Sequence, residues 1–111
     1  MLDALQFDAP SRPRLVHRLD KDTSGVLLLA RNAKAAAFFS KQFAGREAEK
    51  SYWALTVGVP KILAGTIDAP IARHPKAEFK FTVANEGKPS VTHYETLEAF
   101  PSASLLEIVL E

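Results

Sequence analysis

The spacing of the apolar residues changes once along this chain, and that change restricts the fold more than any other feature of the sequence. Between positions 33 and 44, apolar side chains recur every three or four residues and would form one stripe along a helix. From Ser51 onward, apolar and polar residues alternate, as they do in a strand with two different faces. A helix followed by a run of strands predicts an α+β fold, with a mixed, largely antiparallel sheet and at least one packed helix.

The predicted helix has recognisable ends. Asn32 is a typical N-cap residue, and the alanine-rich residues 33–37 have a high helix propensity. Gly45 stands where helices commonly end on a residue in the left-handed conformation. These signals predict a helix from about Ala33 to Ala44.

Strand character is strongest in two places. Residues 26–30 form an apolar run, VLLLA, of the length expected for a strand that is buried on both faces. In the strand that begins at Ser51, the bulky apolar side chains of one face, among them Trp53, are expected to pack in a core. Tyr52 lies on the opposite face, which is smaller and more polar, and from there its phenol could reach a cleft.

The second half of the chain predicts a series of strands separated by turns. These strands are expected at 65–69, 79–83, 91–99 and 105–110. Pro70 would stop the first of them, because proline cannot continue a sheet ladder. Residues 85–88, NEGK, have the composition of a turn, so the two strands that flank them are expected to pair as a hairpin.

Composition sets broader limits. The chain has 111 residues, of which 47% are hydrophobic and 24% charged, as in an ordinary single globular domain. It has no cysteine, which excludes disulfides and thiolate metal sites and fits a reducing cytoplasm. The net charge of +1 neither requires nor excludes a nucleic-acid partner. No apolar run reaches the length of a membrane span and the first residues do not resemble a signal peptide, so we expect a cytoplasmic protein with no membrane partner.

The segment at 17–25, HRLDKDTSG, holds the densest group of polar residues, and its composition alone fits a turn between two strands. A plain turn, however, needs neither the His-Arg pair before it nor the further charges inside it. A calcium-binding loop is a second interpretation, since Asp20, Asp22 and Ser24 alternate and Gly25 follows them. The twelfth position of such a loop must be a bidentate glutamate, and here it is Arg31, so we reject this interpretation.

A third interpretation rests on resemblance. Residues 15–30, LVHRLDKDTSGVLLLA, closely resemble the signature of the RluA-type pseudouridine synthases. The resemblance implies that Asp20 is the essential catalytic residue. It also implies that Arg18 is the arginine that enters the RNA and helps to hold the target nucleotide out of its stack.

Other stretches agree with this resemblance, which covers about residues 14–111. Residues 49–55, EKSYWAL, are similar to the second motif of the family, and this implies that Tyr52 lies beside the catalytic aspartate and against the target base. Residues 72–76 and 87–94 are similar to the mid-domain hairpin of the family.

Two family elements have no counterpart in the sequence. One is an Asn-Lys-Pro segment that normally precedes the catalytic motif. The other is a later Gly-Arg-Thr-His-Gln-Ile-Arg motif, whose arginine pairs with the catalytic aspartate. The final residues also look like a strand in progress. We therefore expect an irregular lead-in at 1–13, and at 14–111 a partial catalytic domain that is truncated at both ends and inactive alone.

The implied function is isomerisation of uridine to pseudouridine in structured RNA, with ribosomal RNA as the first candidate and transfer RNA as the second. The reaction needs no redox cofactor, nucleotide or metal. Asp20 could act as a nucleophile or as a base, and the sequence leaves both roles open. A non-catalytic RNA-binding fragment is the alternative function.

Positively charged residues and histidines complete the set of candidates. Arg73 and Lys76 belong to the cluster best placed to contact RNA phosphates. His17, His74 and His93 do not have the spacing of metal ligands, so packing or hydrogen bonding is expected for each.

Overall fold

The computed structural model describes residues 1–77 and 80–111, and the chain divides into a first unit, Met1–Ala48, and a second unit, Glu49–Glu111. In the described residues, no helix combines the length and the apolar character that crossing a membrane requires.

The first unit combines one α-helix and a short 3₁₀ helix with a two-stranded ribbon. Its elements are a 3₁₀ helix at Leu2–Leu5, strand β1 (Arg14–Leu15), strand β2 (Leu29–Ala30) and helix α1 (Ala33–Ala44). Strands β1 and β2 pair antiparallel, with Leu15 opposite Leu29, and α1 packs against both of them. Ala30 is the most buried apolar residue of the unit, with 1% of its surface exposed.

Helix α1 has the bounds that the sequence predicts. The Asn32 side chain accepts a hydrogen bond from the Ala35 amide at 2.8 Å, which satisfies one of the free donors of the first turn. The prediction for Gly45 is wrong, because this residue keeps a right-handed conformation with φ −78°. The left-handed residue is Arg46, with φ 59°, so the helical conformation extends one residue further than expected.

The amides beyond the helix close the C-terminus in the Schellman pattern. The Arg46 amide donates to the Phe43 carbonyl at 3.3 Å, and the Glu47 amide donates to the Gln42 carbonyl at 3.0 Å. The motif requires a left-handed residue immediately after the last right-handed one, and that position falls on an arginine here.

The apolar run at 26–30 is not the doubly buried strand that the sequence predicts. Only Leu29 and Ala30 pair with β1, and Val26 is 87% exposed. The ladder stops because β1 itself is two residues long, so the residues before Leu29 have no strand opposite them in this unit.

Asp8 holds the lead-in of the first unit close to the residue that follows β2. The Arg31 guanidinium donates a hydrogen bond to the Asp8 carboxylate at 2.8 Å. This hydrogen bond is the main reason why the pKa of Asp8 is lowered from its ordinary value of 3.8, with a smaller contribution from the charge of Arg31.

Within residues 49–77 and 80–111, the regular elements of the second unit are all strands. They are β3 (Lys50–Val57), β4 (Ala64–Asp68), β5 (Ile71–Arg73), β6 (Phe81–Val83), β7 (Val91–Ala99) and β8 (Ala103–Leu110). One sheet has the order β3-β8-β7-β4 and a smaller one pairs β5 with β6. Every strand pairing among the described residues is antiparallel, so the predicted α+β fold with a largely antiparallel sheet is confirmed.

The predicted hairpin between 79–83 and 91–99 is wrong. Strand β6 pairs with β5, and β7 pairs with β4 and β8. The turn at 85–88 does form, with the Gly87 amide donating to the Ala84 carbonyl at 2.8 Å, but the chain that leaves it meets Ile71. Ile71 and Lys88 exchange two backbone hydrogen bonds of 2.8 and 2.9 Å, which diverts the chain away from β6. Phe79, the expected first residue of this strand, lies outside the described residues.

The two faces of β3 are reversed relative to the prediction. Trp53 is 73% exposed and Val57 is 99% exposed, whereas the opposite face of the strand is half-buried. On that face Thr56 lies opposite Ser104 of β8: their hydroxyls are 2.8 Å apart, and Ser104 donates to the Gly58 carbonyl at 2.9 Å. Ser104 is fully buried by this arrangement.

Replacing Gly87 by alanine should destabilise the second unit. A Cβ there would stand 2.7–2.8 Å from the backbone atoms of Ile71, which are tied by the hydrogen bonds of Lys88 and cannot retreat without breaking them. We expect a loss of about 1–3 kcal/mol in the free energy of unfolding, measured with urea. Gly65→Ala is the matched control, since its Cβ would meet the Tyr94 ring at an ordinary 3.4 Å. Equal stability of the two variants would contradict the close approach at Gly87.

Replacing Asp8 by asparagine should remove a stabilisation that depends on pH. A carboxyl whose pKa is lowered by folding stabilises the fold above its unfolded pKa, and this contribution disappears as the pH falls through the lowered value. The Asp8→Asn variant should therefore be slightly less stable near neutral pH and equal to the parent well below pH 3.8. Urea unfolding at the two pH values measures the difference. A difference that grows on acidification would contradict the role of the Arg31 contact.

Candidate active site

Asp20 lies in the loop that joins β1 to β2. Its backbone carbonyl accepts a hydrogen bond from the Thr23 amide at 3.0 Å, which closes a turn around Lys21 and Asp22. Asp20 is exposed, and among the described residues of its own unit no basic side chain lies within ion-pair distance of its carboxylate. The carboxylate of Asp20 is therefore accessible and makes no ion pair within its unit.

Gly25 gives the loop a conformation that other residues rarely adopt. Its φ is +149°, a region in which side-chain-bearing residues are strained, although a Cβ there would meet no atom within 4 Å. The requirement for glycine at this position therefore comes from the backbone and not from crowding.

His17 closes the same loop from its other side. Its Nε2 accepts a hydrogen bond from the Leu28 amide at 2.8 Å. The ring stacks on Phe43 of α1, with centroids 4.7 Å apart and planes 24° from parallel. Because an N–H group donates to Nε2, that nitrogen carries a lone pair, and the proton of the neutral ring is on Nδ1.

The other two histidines are also hydrogen-bonded, so the expectation of packing or hydrogen bonding is confirmed for all three. His74 Nδ1 accepts from the amides of Lys76 and Ala77 at 3.2 and 3.0 Å. His93 bonds to Thr66 Oγ1 at 2.8 Å through Nδ1 and to the Glu111 carboxylate through Nε2. Within the ranges 1–77 and 80–111, no group of three or more potential ligand side chains is arranged to hold a metal ion.

The remaining candidate residues divide between the two units. Arg18 is exposed and lies on the loop of the first unit, two residues before Asp20. Tyr52 belongs to the second unit, where it is half-buried on β3 opposite Ile108 of β8. Arg73 and Lys76 also belong to the second unit.

The surface near the ends of β5 and β6 brings several cations together. Arg73, Lys76 and Lys80 line one concave region together with Phe81, whose ring is largely exposed. The sequence pattern pointed to the charges, but it did not single out Phe81, because an alternating strand residue is more commonly part of a core. The strand β6 is short and its outer face is uncovered, which leaves the ring accessible.

Sequence reasoning also missed the link between His17 and Phe43. Phe43 is one of the apolar residues that recur at helical spacing between positions 33 and 44, but a polar residue stacked on that stripe could not be predicted from the spacing. The only signal was that a turn does not need the His-Arg pair that precedes Asp20.

Comparison with known proteins is consistent across sequence and structure. The model of the family described as RNA pseudouridylate synthase matches residues 2–111. A protein of Mycobacterium tuberculosis that is named as an uncharacterized RNA pseudouridine synthase is 48% identical over 100 residues, which are 90% of this chain and 32% of the relative. The ribosomal large subunit pseudouridine synthase D of Xanthomonas campestris is 40% identical over 116 residues, covering 100% of this chain and 35% of the relative.

A solved structure from a protein with the same family name is also similar to this chain. Human RNA Pseudouridylate Synthase Domain Containing 4 superposes with a TM-score of 0.80 at 30% identity, over 98% of this chain and 46% of the human one. The chain thus spans about a third of the length of the curated relatives it matches. The resemblance to RluA-type enzymes is confirmed, and the chain belongs to the RNA pseudouridylate synthase family.

Proposed function

We propose that this chain carries part of the catalytic domain of an RNA pseudouridine synthase, which isomerises uridine to pseudouridine in structured RNA with Asp20 as its catalytic carboxylate. The observation that carries this proposal is the position of Asp20. It lies in the segment that resembles the family signature, on an exposed turn, and its carboxylate makes no ion pair within its own unit. Residues 14–111 are the part of the catalytic domain, and residues 1–13 lead into it. In this proposal the protein acts in the cytoplasm.

The chemistry suits a lone carboxylate. The reaction breaks the bond between ribose carbon and uracil nitrogen, turns the base, and joins the same ribose carbon to a uracil carbon. That carbon gives up its hydrogen as a proton and the freed nitrogen gains one, so atoms and electrons balance without a second substrate. An anionic carboxylate can trap or stabilise a cationic sugar, or it can remove a proton from the ribose. Both roles require that the substrate reach the carboxylate, which an exposed loop allows.

The target base must leave its stack before any of this can occur. Unstacking costs about a few kcal/mol, and a side chain that fills the vacated space offsets part of that cost. Arg18 is exposed on the same loop and has a planar charged group that stacks on bases and bonds to phosphates. Tyr52 provides an aromatic plane and a hydroxyl for the extruded base.

The phosphates of bound RNA repel the Asp20 carboxylate, so a cation beside it would help to hold the carboxylate in place. None lies within ion-pair distance in Met1–Ala48, and the curated relatives are about three times as long as this chain. The cation is an arginine from a part of the relatives that this chain does not span. The chain alone is therefore expected to be inactive or nearly so.

Ribosomal RNA is the first candidate substrate and transfer RNA the second. Relatives from Xanthomonas campestris and Nitrosomonas europaea carry the name ribosomal large subunit pseudouridine synthase D, and each aligns with the whole of this chain. The cationic surface of Arg73, Lys76 and Lys80 provides phosphate contacts, and Phe81 provides a plane for an unpaired base.

Turnover is tested by tritium release from RNA labelled at the uracil carbon that forms the new bond. Because the chain spans a third of its relatives, the assay compares the chain alone with a chimera in which it replaces the matching segment of the Mycobacterium tuberculosis relative. The chimera should release tritium, and Asp20→Asn should lower the rate by at least about 10³-fold. Asp22→Asn is the matched control from the same turn and should retain activity.

Three outcomes separate the alternatives. Full activity of the short chain would refute the need for an external cation. Activity that survives Asp20→Asn would refute its catalytic role. RNA binding by the chimera without tritium release, on both ribosomal and transfer RNA, would favour the alternative of a non-catalytic RNA-binding protein.

Charge removal at the cationic surface should weaken RNA binding in a salt-dependent way. The double variant Arg73→Ala/Lys76→Ala should bind structured RNA less tightly, and its slope of log affinity against log salt should fall by about 1 for each phosphate that the variant no longer neutralises. Lys34→Ala/Lys41→Ala removes the same charge from α1 and is the control. An equal change of slope in both double variants would mean that net charge, and not this surface, sets the affinity.

A further inference from the structure

The geometry points to His17 as the positioning residue of the Asp20 loop: its neutral imidazole, held against Phe43 of α1, accepts the Leu28 amide and fixes the loop between them. The inference rests on the proposed function, since it takes Asp20 to be the catalytic carboxylate. His17 is not assigned contact with the substrate. Its effect on the reaction passes through the loop.

The hydrogen bond of His17 replaces the sheet at the point where the sheet ends. The last pair of the β1–β2 ladder is Leu15 opposite Leu29. The next donor, the Leu28 amide, bonds to the His17 side chain at 2.8 Å. One side chain therefore joins the two ends of the loop 18–27, which would otherwise be open from Leu15 onward.

Phe43 determines where the imidazole points. The two rings stack with centroids 4.7 Å apart, so His17 Nε2 is held at a fixed place above the helix. Two residues separate helix α1 from the end of β2, and the helix is capped by Asn32. His17 Nε2, which accepts the Leu28 amide, is thus held in place by a residue of helix α1.

The loop has little else to define its shape. Among the described residues of the unit, no side chain of 18–27 makes a hydrogen bond. Within the loop, the backbone hydrogen bond is the one that the Thr23 amide donates to the Asp20 carbonyl. Leu19 and Thr23 are half-buried, and the other loop residues are exposed. The position of the Asp20 carboxylate therefore depends strongly on how the ends of the loop are held.

A catalytic group must be held within about 0.5 Å of its productive position, and a displacement of about 1 Å can lower a rate by 10²-fold. Loosening the loop should leave the cationic surface of Arg73, Lys76 and Lys80 in the second unit intact, although it also frees Arg18, which lies on the same loop. The expected signature is a fall in kcat that is larger than the loss of affinity for RNA.

Two substitutions of His17 separate the contribution of ring stacking from that of the hydrogen-bond acceptor. His17→Phe keeps a ring that can stack on Phe43 but cannot accept the Leu28 amide. His17→Gln loses the ring but keeps a side-chain oxygen at a similar reach, so it is the conservative variant for rescue. Asp8→Asn removes an exposed ion pair from the same unit without touching the loop and serves as the control.

The first measurement uses the 111-residue chain and needs no activity. Nitrogen NMR of His17 should show the tautomer with its proton on Nδ1, and hydrogen exchange should show a protected Leu28 amide. In His17→Phe the exchange of Leu28 should accelerate at least about tenfold, and His17→Gln should recover part of the protection. Exchange of Leu28 that is equally fast in the parent and in His17→Phe would overturn the inference.

The second measurement places the same variants in the chimera described above. His17→Phe should lower kcat by about 10–100-fold with a much smaller loss of affinity for RNA, and His17→Gln should restore part of the rate. An unchanged kcat in His17→Phe, or equal losses in kcat and in RNA affinity, would overturn the inference. If the parent chimera binds ribosomal and transfer RNA but releases no tritium, the function proposed for Asp20 fails, and the exchange of Leu28 still decides whether His17 holds the loop.

Discussion

Strand β8 satisfies its backbone hydrogen bonds on both sides, and the second unit depends on that strand. It pairs with all eight residues of β3 and, across an irregularity between Thr96 and Glu98, with β7. Its inward side chains include Ser104 and Leu106, which are the buried residues of this sheet. The hydroxyl of Ser104 ties the strand to Thr56 and to the turn at Gly58, so one strand organises both the ladder and its closing turn.

The sequence predicts the local elements of this protein well and their partners less well. The bounds of α1 follow from Asn32 and from the spacing of its apolar residues, which are local signals. The pairing of β6 with β5 depends on the backbone of Ile71 meeting Lys88, a contact between residues 17 positions apart that no turn signal encodes. The faces of β3 were misassigned because residue size predicts burial only where another element covers that face.

The candidate site shows the same division. Asp20 and Arg18 were found from a motif that carries chemical information in consecutive residues. Their placement on an exposed turn agrees with that motif but does not test their roles. The bond from His17 to Leu28 could not be predicted, because it joins a side chain to a main-chain amide across a loop whose shape the sequence does not specify.

The exposed face of β3 gives this protein a built-in optical probe. Trp53 is the single tryptophan of the chain, and its indole stands in water for most of its surface. Its emission spectrum should be that of a solvated indole, and any molecule that settles on the neighbouring Leu55 and Val57 would shift it toward the blue. The same three apolar side chains lie on an edge strand, so light scattering at rising protein concentration should be recorded beside the fluorescence.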